Sequence, residues 1–581
     1  MVLVTAVRDY INNMLQQISG MKILILDSHT VSVVSVVYSQ SDLLKKEVFL
    51  VEMIDSISMS KESLLHLKAV CFLRPTSENV QHLRRQLTSP RFGEYHLFFS
   101  NILKDSQIQM LADTDEHEIV QQVQELYADF VSVDCCHFSL NIPSNHLYMV
   151  PVGIKCRGVP ALERSSLQHY YDLVVERIST VFLALKGRPF IRYQQTSDIA
   201  KLIAQSTAKF MCEQESGLFD FKRTDTLLLV LDRRGDPFTP LLNQWSYQAM
   251  VHELIGIEDN KVDLRNVGNF PKDQQEVVLS SEQDAFFKAN MYENFGDIGI
   301  NLKEMVDKFQ QTANSNLSIQ TIEELAGFVD NYPEFRRMHC NVSKHVTLVT
   351  EMSKIVEDRK LMLVSQTEQE LACNEGKAAA FEALTNLINN DNVSDIDQLR
   401  SLMLYALRYE KEYPSGELIQ LSHKLYSNTK KHKGGVMPLG YVHILVRQAC
   451  VHDHTWDLFR SRDLTNIVHN MASGLKGVEN VYTQHQPLLY KTMESISEGQ
   501  LNDADYPVEG NHFQQGRPQD VVIFIVGGTT YAESRAVALF NSNNSGIHFI
   551  LGGTTILNSE RFLKDVEDAG GLMRASIHCG Y

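Results

Sequence analysis

Near the C-terminus the chain repeats one short pattern, Gly527-Gly528-Thr529-Thr530 and Gly552-Gly553-Thr554-Thr555, each directly after an apolar run. Glycines at a strand exit let backbone amides close on a phosphate at the start of a helix, so this is the strongest enzyme-like feature, a candidate nucleotide site. It lacks the lysine of the GxxxxGK loop and the GxGxxG spacing, and its repetition also fits tight strand exits with threonine helix caps. His452-Asp453-His454 offers metal donors, but this short alternation is not a complete ligand set and reads as exposed histidine. The Lys430-Lys431-His432-Lys433 run before Gly434-Gly435 reads as a solvated loop. Adjacent Cys135 and Cys136 read as small buried hydrophobes rather than a redox pair. There is no Ser/His/Asp, paired-carboxylate or metal constellation, so neither catalysis nor a cofactor is expected.

A charged corner sits in Leu227–Ile257. Five apolar residues lead to Asp232, then Arg233, Arg234, Gly235, Asp236, Pro237 and the Thr239-Pro240 pair turn the backbone before Leu241, Leu242, Trp245, Ala249, Leu254 and Ile255 recur at helical intervals. A buried parallel strand therefore hands over to a helix. Asp232, Arg233 and Asp236 fit a structural ion-pair cluster better than a catalytic one.

Before this corner the chain alternates strands and helices. A helix is predicted over 1–16, strands at 22–26, 47–51, 69–73, 95–100 and 128–133, and helical patterns at 77–87 and 105–126. Such alternation predicts a parallel sheet with helices on both faces. Strand one ends in Asp27, at the sheet edge where such folds bind ligands; the same residue would also serve as a helix cap. A helix near 166–186 and a strand at 190–192 follow, separated from the first part by a loop over 153–163. Beyond Ile257 the pattern is helical to about residue 465, and strands return only at 521–526 and 547–551. The fold class is therefore α/β plus α. The predicted parse is an α/β domain over 1–141, a second α/β domain split between 142–250 and 466–581, and a helical domain over 251–465 inserted into it.

Composition bounds the function. The chain has 581 residues, 44% hydrophobic and 22% charged, which suits about three globular domains. Its 54 basic against 71 acidic residues give a net charge of −17, which opposes nucleic acid or an anionic membrane and favours a protein partner. Nine cysteines without CxxC give no sign of a disulfide framework or zinc site. With no spanning segment and no signal peptide, the expectation is a cytosolic protein.

Two stretches could grip a partner. Ile108, Leu111, Ala112, Val120 and Val123, taken as lying on the adjoining faces of two helices, would line an apolar groove beside Glu125 that suits the anchors of a short peptide; the alternative is plain core. In the helical block, Ile322, Leu325 and Val329 mark a helix that Pro333 should interrupt. A further pattern from Asn341 to about Glu370 puts Val342, Val346, Val349 and Val356 on one stripe of a rod long enough to lie along a helical bundle.

The corner residues Asp232-Arg233, Asp236-Pro237, Pro240-Leu241 and Gln248-Ala249-Met250 resemble the signature of the SM (Sec/Munc-type) family, which binds syntaxin-like SNAREs and governs membrane fusion. The resemblance extends over essentially the whole chain. Met21–Leu24, Cys71–Pro75 and above all Gly474–Pro487 are similar to the vacuolar protein-sorting branch that serves endosomes and the trans-Golgi network; Gly235 departs from that branch, where an acidic residue is more usual. The resemblance implies three domains around a cleft, a syntaxin-like Qa-SNARE and the assembled SNARE bundle as partners, membrane association only through SNAREs, and a monomer. It implies that the groove at Ile108, Leu111, Ala112, Val120, Val123 and Glu125 receives the syntaxin N-terminal peptide, and that Asp27 and Glu52 face the syntaxin cleft. Ser39 stands where some relatives carry a lysine, which puts tight binding of closed syntaxin in question. It also implies a SNARE-templating hairpin over about 318–372, with Tyr332-Pro333-Glu334-Phe335 as its tip, Val346 facing the partner and Glu368–Ala372 closing it.

Overall fold

The computed structural model describes residues 3–56, 63–150, 161–214, 217–221, 225–265, 275–317, 322–373, 376–410, 415–429, 438–448, 485–510, 517–543 and 546–578. The loop expected at 153–163 lies almost wholly outside these, and the Lys430 run, His452–His454 and Gly474–Gln484 lie outside them entirely.

The first sheet holds β1 (Lys22–Leu26), β2 (Val48–Met53), β3 (Leu64–Leu73), β4 (Phe92–Phe99) and β5 (Val120–Glu125), all parallel, in the order β2-β1-β3-β4-β5. Its helices are α1 (Leu3–Gln16), α2 (Ser28–Val37), α3 (Gln40–Lys45), α4 (Ser77–Thr88) and α5 (Asp105–Thr114). β1 is buried at every position because helices cover both faces. Ile23 and Ile25 join a core with Val80, Leu83 and Leu87 of α4 and Leu111 of α5. Leu24 and Leu26 point the other way, to the core containing Val7, Ile11 and Val33 of α1 and α2. The fifth strand is Val120–Glu125, not the expected 128–133, and the helix predicted over 105–126 stops at Thr114. Two apolar residues among glutamines made the strand look helical.

The second sheet runs β6-β7-β13-β12-β9-β8, built from β6 (Val131–Ser132), β7 (His137–Ser139), β8 (Phe190–Tyr193), β9 (Thr226–Asp232), β12 (Asp520–Val526) and β13 (His548–Gly553). All its pairs are parallel except the β6–β7 hairpin. β9 and β12, from either side of the helical block, pair in register from Thr226↔Asp520 to Asp232↔Val526. Residues 131–139 thus belong to the second sheet, earlier in the chain than the expected boundary at 141. α6 (Ala161–Leu185) and α7 (Asp198–Glu213) cover one face, with Val174 and Ile178 against Leu228 and Val230. Helices Leu488–Ser497 and Tyr531–Asn543 cover the other.

Between these parts lie α8 (Tyr247–Leu254), a hairpin of β10 (Lys261–Asp263) and β11 (Glu276–Val278), α9 (Ala285–Asn290), α10 (Phe295–Leu317), α11 (Ile322–Asp358), α12 (Leu361–Cys373), α13 (Lys377–Ile388), α14 (Asp395–Tyr409), α15 (Gly416–Thr429) and α16 (Pro438–Gln448). α11 runs unbroken through Pro333, contrary to the expected interruption. The long rod instead breaks at Arg359-Lys360, where Lys360 takes a φ of 53°.

One buried cation ties this block to the rest. Arg400 of α14 donates to Glu368 of α12 at 2.5 Å, to Glu253 of α8 at 3.1 Å and to the Leu241 carbonyl at 3.1 Å. Glu368 also accepts the Asn243 N–H at 2.8 Å, and Glu253 accepts from Ser559, which opens the C-terminal helix Ser559–His578. Burial pushes the Glu253 and Glu368 carboxyls up, against the pull of Arg400. Asp397 is buried too, yet Arg400 and Arg359 hold it below the usual carboxylate range.

Candidate functional site

The Gly-Gly-Thr-Thr exits are filled by the chain itself. A Cβ on Gly527 would come within 2.8 Å of Arg233 and the Tyr148 ring, and one on Gly552 within 2.0 Å of the Phe138 ring. Gly527 and Gly528 have φ near +100°, so glycine is needed there for conformation as well. The Gly527 amide donates to the Thr554 hydroxyl at 3.0 Å and the Thr529 amide to the Thr555 carbonyl at 2.9 Å. Thr530 caps the next helix with Glu533, whose carboxylate holds the buried Arg233 guanidinium at 2.8 and 2.6 Å. Amides, space and the nearest cation are all taken within the fold, which removes the phosphate-binding alternative.

The Asp232 corner is likewise structural. Asp232 accepts from the Ser197 hydroxyl at 2.5 Å and from Arg234, and Asp236 accepts the Phe238 and Thr239 amides. At Gly235 a Cβ would meet the Gln194 amide at 2.8 Å. An acidic side chain there would therefore displace Gln194, whose Oε1 accepts the Asp232 N–H.

The residues expected to line an apolar groove lie on one helix and one strand, α5 and β5, not on two helices. β5 is an open sheet edge, and its bulge beside Tyr95 puts both Val120 and Val123 in register with residues of the α4/α5 face: Val120 pairs with Tyr95, Val123 with Leu97 and Glu125 with Phe99. That face lies under α5, where Leu111 is buried and Val120 packs against the same core. Ile108 and Val123 are 44% and 47% exposed, and Ala112 is exposed as well. Leu111 and Val120 thus belong to the core, while Ile108, Ala112 and Val123 stay open to solvent. Glu125 accepts the Leu103 N–H at 2.7 Å and the Tyr127 hydroxyl at 2.8 Å.

The two acids assigned to a cleft differ. Asp27 is the buried N-cap of α2, accepting the His29 and Thr30 amides on one oxygen and the Arg74 amide and Asn79 side chain on the other. This is the helix-cap alternative, and its acceptor capacity is spent inside the fold. Glu52 is half-buried and pairs with Arg91 at 2.6 Å. Just before it, Phe49, Leu50 and Val51 are exposed because β2 is the other open edge. The sequence hides this, since an apolar run reads as a strand buried on both faces.

α10 and α11 form a helical hairpin whose connection, 318–321, lies outside the described residues. Pro333 is therefore inside α11, away from any tip. Phe335 stacks on Phe309 of α10, ring centroids 5.4 Å apart, and His339 lies 5.6 Å from the same ring. Phe309 is the residue the sequence reading missed; it carried no signal beyond an aromatic on an amphipathic helix. Lower down, Val342, His345, Leu348 and Met352 are the buried stripe of α11, displacing the expected stripe through Val346. His345 bonds the Tyr247 hydroxyl at 2.7 Å and Asp284 at 3.0 Å, and Lys344 also pairs with Asp284. Val346 points outward, and Tyr332, His339 and Val346 lie on the exposed side at seven-residue intervals. Glu368, of the closing motif, belongs to the Arg400 cluster.

The Sec1 family model matches residues 22–565. The chain belongs to the Sec1 family. It is 68% identical over 581 residues, all of both chains, to the vacuolar protein sorting-associated protein 45 homolog of Arabidopsis thaliana. It is 42% identical to vacuolar protein sorting-associated protein 45 of Mus musculus, over 98% of this chain and 96% of that one. Among solved structures, "SM Protein Vps45 in Complex with Qa SNARE Tlg2" matches with a TM-score of 0.86 and 39% identity, covering 98% of this chain and 99% of that one. The Unc18–syntaxin 1 complex from Monosiga brevicollis matches over 98% of this chain and 100% of that one, with a TM-score of 0.75 and 22% identity, a likeness of fold. In Sec1-family terms, the SM fold expected from the sequence is the fold observed. Among the described residues, no helix is long and apolar enough to cross a membrane.

Proposed function

We propose that this chain binds a syntaxin-like Qa-SNARE and regulates assembly of the SNARE bundle in vesicle docking and fusion at endosomes and the trans-Golgi network, in transport toward the vacuole or lysosome. The observation that carries the reading is the likeness, over nearly the whole chain, to a protein solved with a Qa SNARE. The geometry supports it at two places. The α5/β5 face offers exposed apolar side chains, which suits the anchors of a peptide laid beside an open strand edge. The α10/α11 hairpin offers a rod of 37 residues, about 55 Å, with an exposed seven-residue repeat that suits a helix from a coiled-coil bundle.

On this reading the work is done by binding rather than bond chemistry. A template that holds helices in register lowers the entropy lost when they meet. No cofactor is required, and the net charge of −17 argues that membrane contact runs through SNAREs rather than lipid. We take the chain as a monomer of three domains, with the second discontinuous. Calorimetry on the purified chain tests the function: the cytosolic part of a syntaxin-like Qa-SNARE should bind saturably, whereas ATP and GTP should give no heat of binding. Nucleotide binding without SNARE binding would reverse the conclusion.

A further inference from the structure

The turn between β6 and β7 sets two thiols side by side, one open and one closed. Cys135 is exposed and Cys136 buried, with sulfurs 3.4 Å apart. The turn is held from several sides. Asp134 accepts the Cys136 N–H at 2.7 Å on one oxygen, and on the other the Tyr292 and Ser534 hydroxyls at 3.0 and 3.3 Å. The Cys136 carbonyl accepts the Leu551 N–H at 2.7 Å, and Asn541 donates to the Cys136 sulfur at 3.4 Å. Neither sulfur therefore needs a moving element to reach the other. The sequence reading of this pair as buried hydrophobes holds for Cys136 alone.

We propose that Cys135 and Cys136 form a reversible vicinal disulfide, a modification site for hydrogen peroxide and other small hydroperoxides.

The hydrogen bond from Cys136 and the charge of Lys288 favour the Cys135 thiolate, against burial and Asp134, and its thiol lies below the ordinary range. Thiolates are the reactive form toward peroxide. The Cys135 sulfur attacks one peroxide oxygen, the O–O bond breaks, and a sulfenic acid and one water result. The Cys136 sulfur then attacks the Cys135 sulfur, the S–O bond breaks, and the hydroxyl leaves with the Cys136 proton as a second water. Two thiols are oxidised and one peroxide is reduced. The hydrogen bond to Cys135, together with burial, makes Cys136 a poor thiolate on its own, but contact with the sulfenic sulfur supplies the effective concentration that offsets this. Consecutive Cα atoms are about 3.8 Å apart, closer than in ordinary disulfides, so the bond is strained and readily reduced, as labile regulatory disulfides are.

The test is peptide mapping of the full-length reduced chain after peroxide treatment, alkylation and digestion. The peptide carrying Cys135 and Cys136 should lose two hydrogens and resist alkylation until dithiothreitol restores both thiols. Exposed Cys212 and Cys340 serve as internal controls for simple oxidation. In Cys136→Ser, dimedone should trap Cys135 as the sulfenic acid. Recovery of Cys135 as sulfinic or sulfonic acid with Cys136 alkylated, of both thiols unmodified, or of Cys135 joined to another chain would each overturn the proposal.

Discussion

Ile108 offers its side chain to water rather than to the core, so replacing it is informative. Ile108→Asp should leave α5 folded and weaken binding of a Qa-SNARE N-terminal peptide by about 2 kcal/mol, a few tens-fold, because a carboxylate then faces apolar anchors. Titration of the folded variant checks this, and unchanged affinity removes the α5/β5 face from the account. Asp565 carries a pH prediction. Burial pushes its carboxyl up to about 7, opposed by the Asn145 side chain donating at 2.5 Å. A raised folded value stabilises fully below the unfolded value near 3.8 and is lost as pH climbs to about 7. Asp565→Asn should therefore stabilise the chain by about 2 kcal/mol at pH 8 and leave it unchanged at pH 4, read as Tm at the two pH values. At this scale the sequence was legible where a side chain's role is local: the Asp232 corner reads as structural and is, and Asp27 sits where a cap belongs. It was illegible where exposure decides, because Phe49 on an edge strand and Ile25 on a central one belong to similar apolar runs.

At the scale of elements, the hairpin is where local propensity and tertiary packing disagree. Proline alone predicts a break at 333, yet α11 continues, and the aromatic stack of Phe335 on Phe309 lies directly beyond that point. Phe335→Ala should remove about 1 kcal/mol of local stability. Amide exchange in the outer halves of α10 and α11 should quicken while α14 stays protected. Pro333→Ala should not lengthen a helix that is already continuous; by restoring a backbone donor it should slow exchange around residue 333, consistent with a helix preference of up to about 3 kcal/mol. Quicker exchange there would mean that the proline rigidifies the hairpin. The β5 misassignment has a similar origin: the bulge gives Val120 and Val123 a helical spacing on a strand, and spacing is all that a sequence shows.

At the scale of the molecule, the frame depends on charges that no local pattern reveals. Arg400 joins α8, α12, α14 and the start of the last helix around one guanidinium. Arg400→Met should destabilise the chain by about 3–5 kcal/mol, since Glu253 and Glu368 would be left buried without a cation; a urea midpoint measures it. The discontinuous second sheet, by contrast, was legible, because two apolar strands after a long helical block have no partners of their own. The proposed function needs two separate grips on a SNARE, the exposed α5/β5 face and the outer face of α11. Hydrogen–deuterium exchange on the chain alone and with a bound Qa-SNARE cytosolic region tests it most directly. Protection should appear at both residues 105–125 and residues 332–346; a complex that leaves both stretches exchanging as in the free chain would contradict the account.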